Sequence, residues 1–213
     1  MNIKNLKETI ITCFSIFVIG FLNGHTQVYM GSFVSPQTGN LIHFGLAAAN
    51  GNIRGIIWSS LIFFGFIFGC LFSTFTKTVI KKERVSFLFG WSIVALPIIL
   101  YVIFHENIHN YISLFILSSV SGSALCLFRK IAHIELNNII VTGNMRLFSI
   151  AAYDFLVLKD KGKLSNFAIF GIGLFLFFLG AFFFGLANNL GNTGVLVSSV
   201  IICAIPYFFA PTS

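Results

Sequence analysis

Six stretches of this chain are apolar for about 20 residues each, the length a helix needs to cross a hydrocarbon core of about 30 Å. They run from Ile10 to Gly31, Ile56 to Phe75, Val85 to Phe104, Tyr111 to Phe128, Phe167 to Leu186 and Val195 to Phe209. The last is short and is bounded by Gly194 and Pro211. Charged residues make up 9% of the chain, where a soluble domain averages about 25%. A soluble globule of 213 residues could not hide a composition that is 57% hydrophobic, with 28 Phe. The excess has to face lipid. The pattern predicts an all-α membrane protein with six transmembrane helices, a single integral membrane domain over residues 1–213. The leading MNIKNLKE carries the charge of a signal peptide. The apolar run behind it is too long for an h-region and lacks an A-x-A-like cleavage site, so it reads as the first span.

Two shorter apolar stretches each begin with the same tripeptide, Thr38-Gly39-Asn40 and Thr142-Gly143-Asn144. The first reads TGNLIHFGLAAANG and the second TGNMRLFSIAAYDF. Leu41 to Ala49 is about 13 Å of helix at about 1.5 Å per residue, under half of a bilayer core. Each stretch therefore reads as a re-entrant half-helix starting at its Thr-Gly-Asn. A further echo links the halves. Val94-Ala95-Leu96-Pro97 resembles Cys203-Ala204-Ile205-Pro206, and each proline removes a backbone hydrogen bond from its span.

Charge sets the orientation. Lys4 and Lys7 precede the first span, and Lys77, Lys81, Lys82 and Arg84 lie between the second and third. Arg129, Lys130, Arg146, Lys159, Lys161 and Lys163 lie between the fourth and fifth. With six spans and both termini cytoplasmic, all of these fall inside and Arg54 is the exception. Each half, residues 1–104 and 105–213, then holds three spans and one half-helix. Three is odd, so the second half is inverted relative to the first, a recurring plan of transporters. The net charge of +7 is spent on this placement. No nucleic-acid-binding signature is present, so the expected surroundings are a lipid bilayer, with no nucleic acid.

A helix start carries partial positive charge and free N–H donors, which attract an anion or a carboxylate. A Thr or Asn oxygen can cap such a start, and Gly allows backbone geometry closed to other residues. Two such starts facing each other would make a central polar site. The alternative is that Thr and Asn only satisfy the backbone and pin the halves together. Asn23, His25 and Gln27 lie in the first span, and His43 is one turn into the first half-helix. Arg146 matches Ile42 of the other half, with Glu135 and Asp154 as its potential partners. His25 and His43 serve equally as interhelical hydrogen bonds, and Glu135, His133 and Asp154 as solvated loop residues. Gly20 and Gly24, and likewise Gly65 and Gly69, have the spacing that lets helix backbones approach. That approach serves packing within the monomer or a homodimer seam.

Cys13, Cys70, Cys126 and Cys203 sit singly within apolar segments, as inert buried thiols do. No motif of nucleophilic or metal-assisted catalysis occurs. No catalytic residue, metal or cofactor is expected, and the chain is not expected to be an enzyme.

The stretch GFLNGHTQVYMGSFVSPQTGNLIHFGLAAANG, with its echo VSGSALCLFRKIAHIELNNIIVTGNMRLFSIAAY, resembles the YoaK-like family of bacterial membrane proteins. The resemblance covers most of the chain. It implies a multi-spanning inner-membrane protein without an established activity. Such proteins commonly carry an acidic residue where this chain has Asn23, and a Gln-Asn pair where it has Ala124 and Leu125. The expectation from the residues is a small-solute transporter or channel. Its site would be Thr38, Gly39, Asn40, Thr142, Gly143 and Asn144, with His25, His43 and Arg146 as further solute contacts and an anionic solute the best match. The alternative is a membrane scaffold in which the Thr-Gly-Asn segments are purely structural. A lipid-directed enzyme ranks third, for want of a nucleophile or metal ligands.

Overall fold

A computed structural model describes residues 3–104, 107–132, 134–135 and 141–210. His133 and Pro211, named above, lie outside the described residues. The helices in chain order are α1 (Ile3–Met30), α2 (Gln37–Ala49), α3 (Ile53–Val79), α4 (Glu83–Phe104), α5 (Asn110–Leu127), α6 (Val141–Leu156), α7 (Leu164–Asn189) and α8 (Gly191–Ala204). Among the described residues, six helices are long and apolar enough to cross a membrane: α1, α3, α4, α5, α7, and α8 with its extension to Phe209. The outward faces of α3 and α7 are stripes of exposed large apolar residues. Phe64, Phe68, Leu71 and Phe75 form one, and Phe175, Phe178, Phe182 and Leu186 the other. Residues spaced by three and four share one helix face, and only lipid makes such a face favourable in a monomer.

The core is built from two helix pairs, α1 against α7 and α3 against α5. Both pairs close over glycine. A Cβ on Gly20 would overlap the carbonyl oxygen of Phe177, and one on Gly180 would overlap that of Phe17. In the second pair, a Cβ on Gly122 would overlap the Phe66 carbonyl, and one on Gly69 the Ser119 carbonyl. Without a hydrophobic driving force between spans, such close backbone approach supplies the dispersion energy that holds them. Gly24 and Gly65 are taken up the same way, against Phe184 and against Phe115 and Ser118. The glycine faces open to a homodimer seam are thus filled within the chain.

Three expected boundaries shift. α2 is longer than Leu41 to Ala49, because it begins at Gln37 and carries Thr38-Gly39-Asn40 in its first turn. Its 13 residues still reach only about 20 Å at about 1.5 Å per residue. The stretch left between the spans ending at Leu186 and starting at Val195 is almost wholly helical. Leu190 alone separates α7 from α8, and Gly191 turns the chain with φ of 75°. Gly194, expected to bound the last span, lies inside α8, where a Cβ would stand 2.5 Å from the Ala187 oxygen. The two prolines also differ in effect. Pro97 sits within continuous α4, whereas at Pro206 the α-helix gives way to a 3₁₀ turn over Ile205–Phe209. The Cys203 carbonyl just before that change accepts a 2.7 Å bond from the Trp91 indole.

The described residues are helical apart from turns and one short antiparallel pair, β1 (Lys130–Ile131) with β2 (Ile134–Glu135). Ala132 makes that hairpin at φ of 53°, and its N–H donates to Thr9 Oγ1 at 2.8 Å.

Candidate functional site

Directly after α1 the chain turns back into the bundle. Gly31 adopts φ of 63°, and its N–H closes on the Gln27 oxygen at 3.1 Å, ending the helix. The following residues descend along α1, so that Ser35 meets Asn23, about 10 Å below the helix end at about 1.5 Å per residue. Asn23 Nδ2 donates to Ser35 Oγ at 2.5 Å and to the Ile19 oxygen at 2.8 Å. Asn23 Oδ1 accepts from the Ser35 N–H at 3.4 Å. Ser35 Oγ lies 3.2 Å from Ser121 Oγ, in the middle of α5. The three residues are 3%, 1% and 0% exposed, a polar cluster sealed inside an apolar bundle.

α2 starts at that depth. Its N-cap is Pro36, which offers no side-chain hydrogen bond, so the first N–H groups of the helix are not capped by a side chain. The expected capping by Thr38 or Asn40 does not occur. Thr38 is exposed, and Asn40, already in the helix, reaches back to donate to the Phe33 oxygen at 3.1 Å. Gly39 is half-buried, and a Cβ there would meet nothing within 4 Å. The helix then rises to Asn50 beside the start of α3. Between them lies a cavity of about 300 Å³ lined by Ser32, Asn40, His43, Asn52, Trp58 and Ser59, among others. No lining residue is a carboxylate. Trp58 Nε1 fixes the wall by donating to Ser32 Oγ at 2.7 Å.

The second Thr-Gly-Asn has the same register. α6 begins at Val141, so Thr142, Gly143 and Asn144 fall in its first turn. Asn144 is 5% exposed, as is Asn40, and Thr142 is exposed like Thr38. Seven residues on, Ala151 and Ala47 are the other buried positions of their helices. α2 lies on α3 and α6 on α7.

The remaining candidates separate. Asn40 and His43 share the cavity. His25 is elsewhere: its Nε2 lies 3.2 Å from the Tyr101 hydroxyl, and its ring packs edge-on to Phe184, joining α1, α4 and α7. Arg146 is exposed on α6, and Glu135 is not its partner, being paired with Arg129 at 3.3 Å. Ser35 and Ser121 escaped the sequence reading. The signal for Ser121 was its run, Ser118-Ser119-Val120-Ser121-Gly122-Ser123, hydroxyl-rich in mid-span.

Six spans around a sealed polar cluster define a multi-pass membrane protein. The chain belongs to the family described as Protein of unknown function (DUF1275), whose profile matches residues 11–208. No curated protein and no solved structure matches it.

Proposed function

We propose that the protein is a small-solute transporter or channel, built from two inverted three-span repeats with a re-entrant half-helix in each. The observation that carries the reading is the uncapped start of α2, held at bundle depth beside Asn23, Ser35 and Ser121. Irregular backbone at that depth is tolerated where it is buried in protein or lines a water-filled cavity. An uncapped helix start favours an anionic or carboxylate-bearing solute, and the cavity farther along α2 is lined by no carboxylate.

The repeat reading is supported by the reciprocal glycines. In both helix pairs the glycine on one helix is three residues from the carbonyl that its partner's glycine meets: Phe17 and Gly20 with Phe177 and Gly180, Ser119 and Gly122 with Phe66 and Gly69. In chain order the pairs are α1 with α7 and α5 with α3, as a two-fold exchange of halves requires. The matched burial of Asn40 with Asn144 and of Ala47 with Ala151 supports it independently. With this reading go cytoplasmic termini, from the charge placement, and the bacterial inner membrane that the YoaK-like resemblance implies.

One observation favours the scaffold alternative. Asn40 spends its amide on Phe33, and the Asn23–Ser35–Ser121 cluster bonds to itself. The deciding experiment is flux of a panel of small carboxylates and inorganic anions into vesicles holding the purified protein. The transport reading requires protein-dependent flux that falls in S121A and N23A. Folded protein with no flux across the panel, or with flux indifferent to both substitutions, would leave the scaffold.

A further inference from the structure

A second cavity, of about 750 Å³, opens at the other end of the bundle, where Lys and Arg gather. It lies among the start of α1, the end of α3, the start of α4 and the end of α5 with its hairpin. Its charged lining is Lys7, Lys77, Lys81, Arg129 and Lys130, against Glu8, Glu83 and Glu135. Five cations against three carboxylates leave a positive surplus. Much of the charge is already engaged. Lys77 Nζ closes the end of α5, donating to the Cys126 and Leu127 oxygens at 2.6 and 3.1 Å. Lys7 Nζ donates to the Ala210 oxygen at 3.3 Å, and Arg129 pairs with Glu135. The side chains of Lys81 and Lys130 make no ion pair or hydrogen bond among the described residues. They are the cations left for a ligand.

The rest of the wall is amphiphilic. Thr12 and Ser86 offer hydroxyls, and Ile11, Phe87 and Phe128 form an apolar floor. A volume of this size is that of a small-molecule site. Basic pockets between spans are suited to phosphate-bearing headgroups, whose charge meets the lysines while the glycerol end meets the apolar wall.

We propose that this cavity binds a phosphate-bearing anion, with Lys81 and Lys130 as its principal cationic contacts. The inference stands apart from the transport reading and survives its failure. The source of the phosphate is either an anionic phospholipid or a free phosphate compound, and the test separates the two. The purified protein is equilibrated with phosphatidylglycerol or phosphatidylcholine in mixed micelles, and bound lipid is counted by native mass spectrometry, with and without millimolar inorganic phosphate. The expected result is retention of phosphatidylglycerol over phosphatidylcholine, reduced about tenfold in K81A/K130A. Retention that inorganic phosphate does not displace assigns the site to lipid. Inorganic phosphate that displaces phosphatidylglycerol, or that raises the melting temperature only when Lys81 and Lys130 are present, assigns it to a free phosphate compound. K159A/K161A, which removes two lysines away from the cavity, serves as the control and should leave retention unchanged. Equal retention in K81A/K130A and the parent, together with no response to inorganic phosphate, would overturn the proposal. Neither target side chain makes a hydrogen bond or ion pair among the described residues, and the Lys130 backbone keeps its place in the hairpin, so the double variant is expected to fold.

Discussion

Gly20 and Gly180 interlock across α1 and α7: each stands against a carbonyl three residues from the other, Gly180 against Phe17 and Gly20 against Phe177. No side chain fits at either position while the backbones hold their distance. The same relationship joins Gly122 and Gly69 across α5 and α3.

Alanine at Gly20, Gly69, Gly122 or Gly180 should therefore lower stability by about 1–3 kcal/mol, the range for overpacking a filled interior. Gly45→Ala and Gly185→Ala are the matched controls, since a Cβ at either meets nothing within 4 Å. Melting curves in detergent should separate the two groups. Equal melting temperatures would show that the helix pairs slide apart at no cost.

Asn23→Ala removes the donor to Ser35 Oγ and the acceptor of the Ser35 N–H together. Leaving buried polar groups unsatisfied costs about 1–3 kcal/mol. Asn23→Asp, protonated at this sealed position, keeps an acceptor for the Ser35 N–H and one O–H donor, so its loss should be smaller than that of the alanine variant. Denaturation followed by tryptophan fluorescence can rank the three proteins; an alanine variant as stable as the parent would mean the cluster is not load-sharing.

Trp58→Phe keeps most of the apolar contact and deletes the 2.7 Å bond to Ser32. The lead-in from Gly31 to Pro36 should then exchange its amide hydrogens faster, while the middle of α5 stays protected. Hydrogen exchange read by mass spectrometry reports both. Uniform acceleration across the bundle would point instead to global destabilisation.

The inverted-repeat reading places the turn at Asn50 to Asn52 on the same side as His109, opposite Lys81 and Lys82. Single cysteines at these positions, in a background lacking the four native ones, can be labelled from one side of sealed vesicles. Single cysteines at Lys7 and Lys81 reacting from opposite sides would mean that α2 crosses the membrane, and the two-fold relation between halves would fall with it.

The spans were legible in the sequence because burial in lipid is a local property. Some 20 apolar residues in a row announce a crossing whatever their neighbours do. The shortness of α2, and the halves' shared Thr-Gly-Asn, were legible for the same reason. The role of Thr-Gly-Asn was not. The tripeptide marked where a helix starts within one turn, and it suggested that Thr or Asn caps that start. The first turn instead begins at Gln37, which puts Asn40 inside the helix, facing back to Phe33. Capping depends on one residue of register, which composition does not resolve.

The sequence by itself determined a six-span chain with two short apolar helices and its positive charge at one end. Tertiary structure alone decided that Asn23 meets Ser35 and Ser121, that His25 serves the α1–α4–α7 junction rather than the cavity of Asn40 and His43, and that the glycines interlock in two matched pairs. The reason is physical. Hydropathy acts residue by residue along the chain. A polar cluster inside lipid forms only where packing brings its members together, and Ser35 and Ser121 are 86 positions apart.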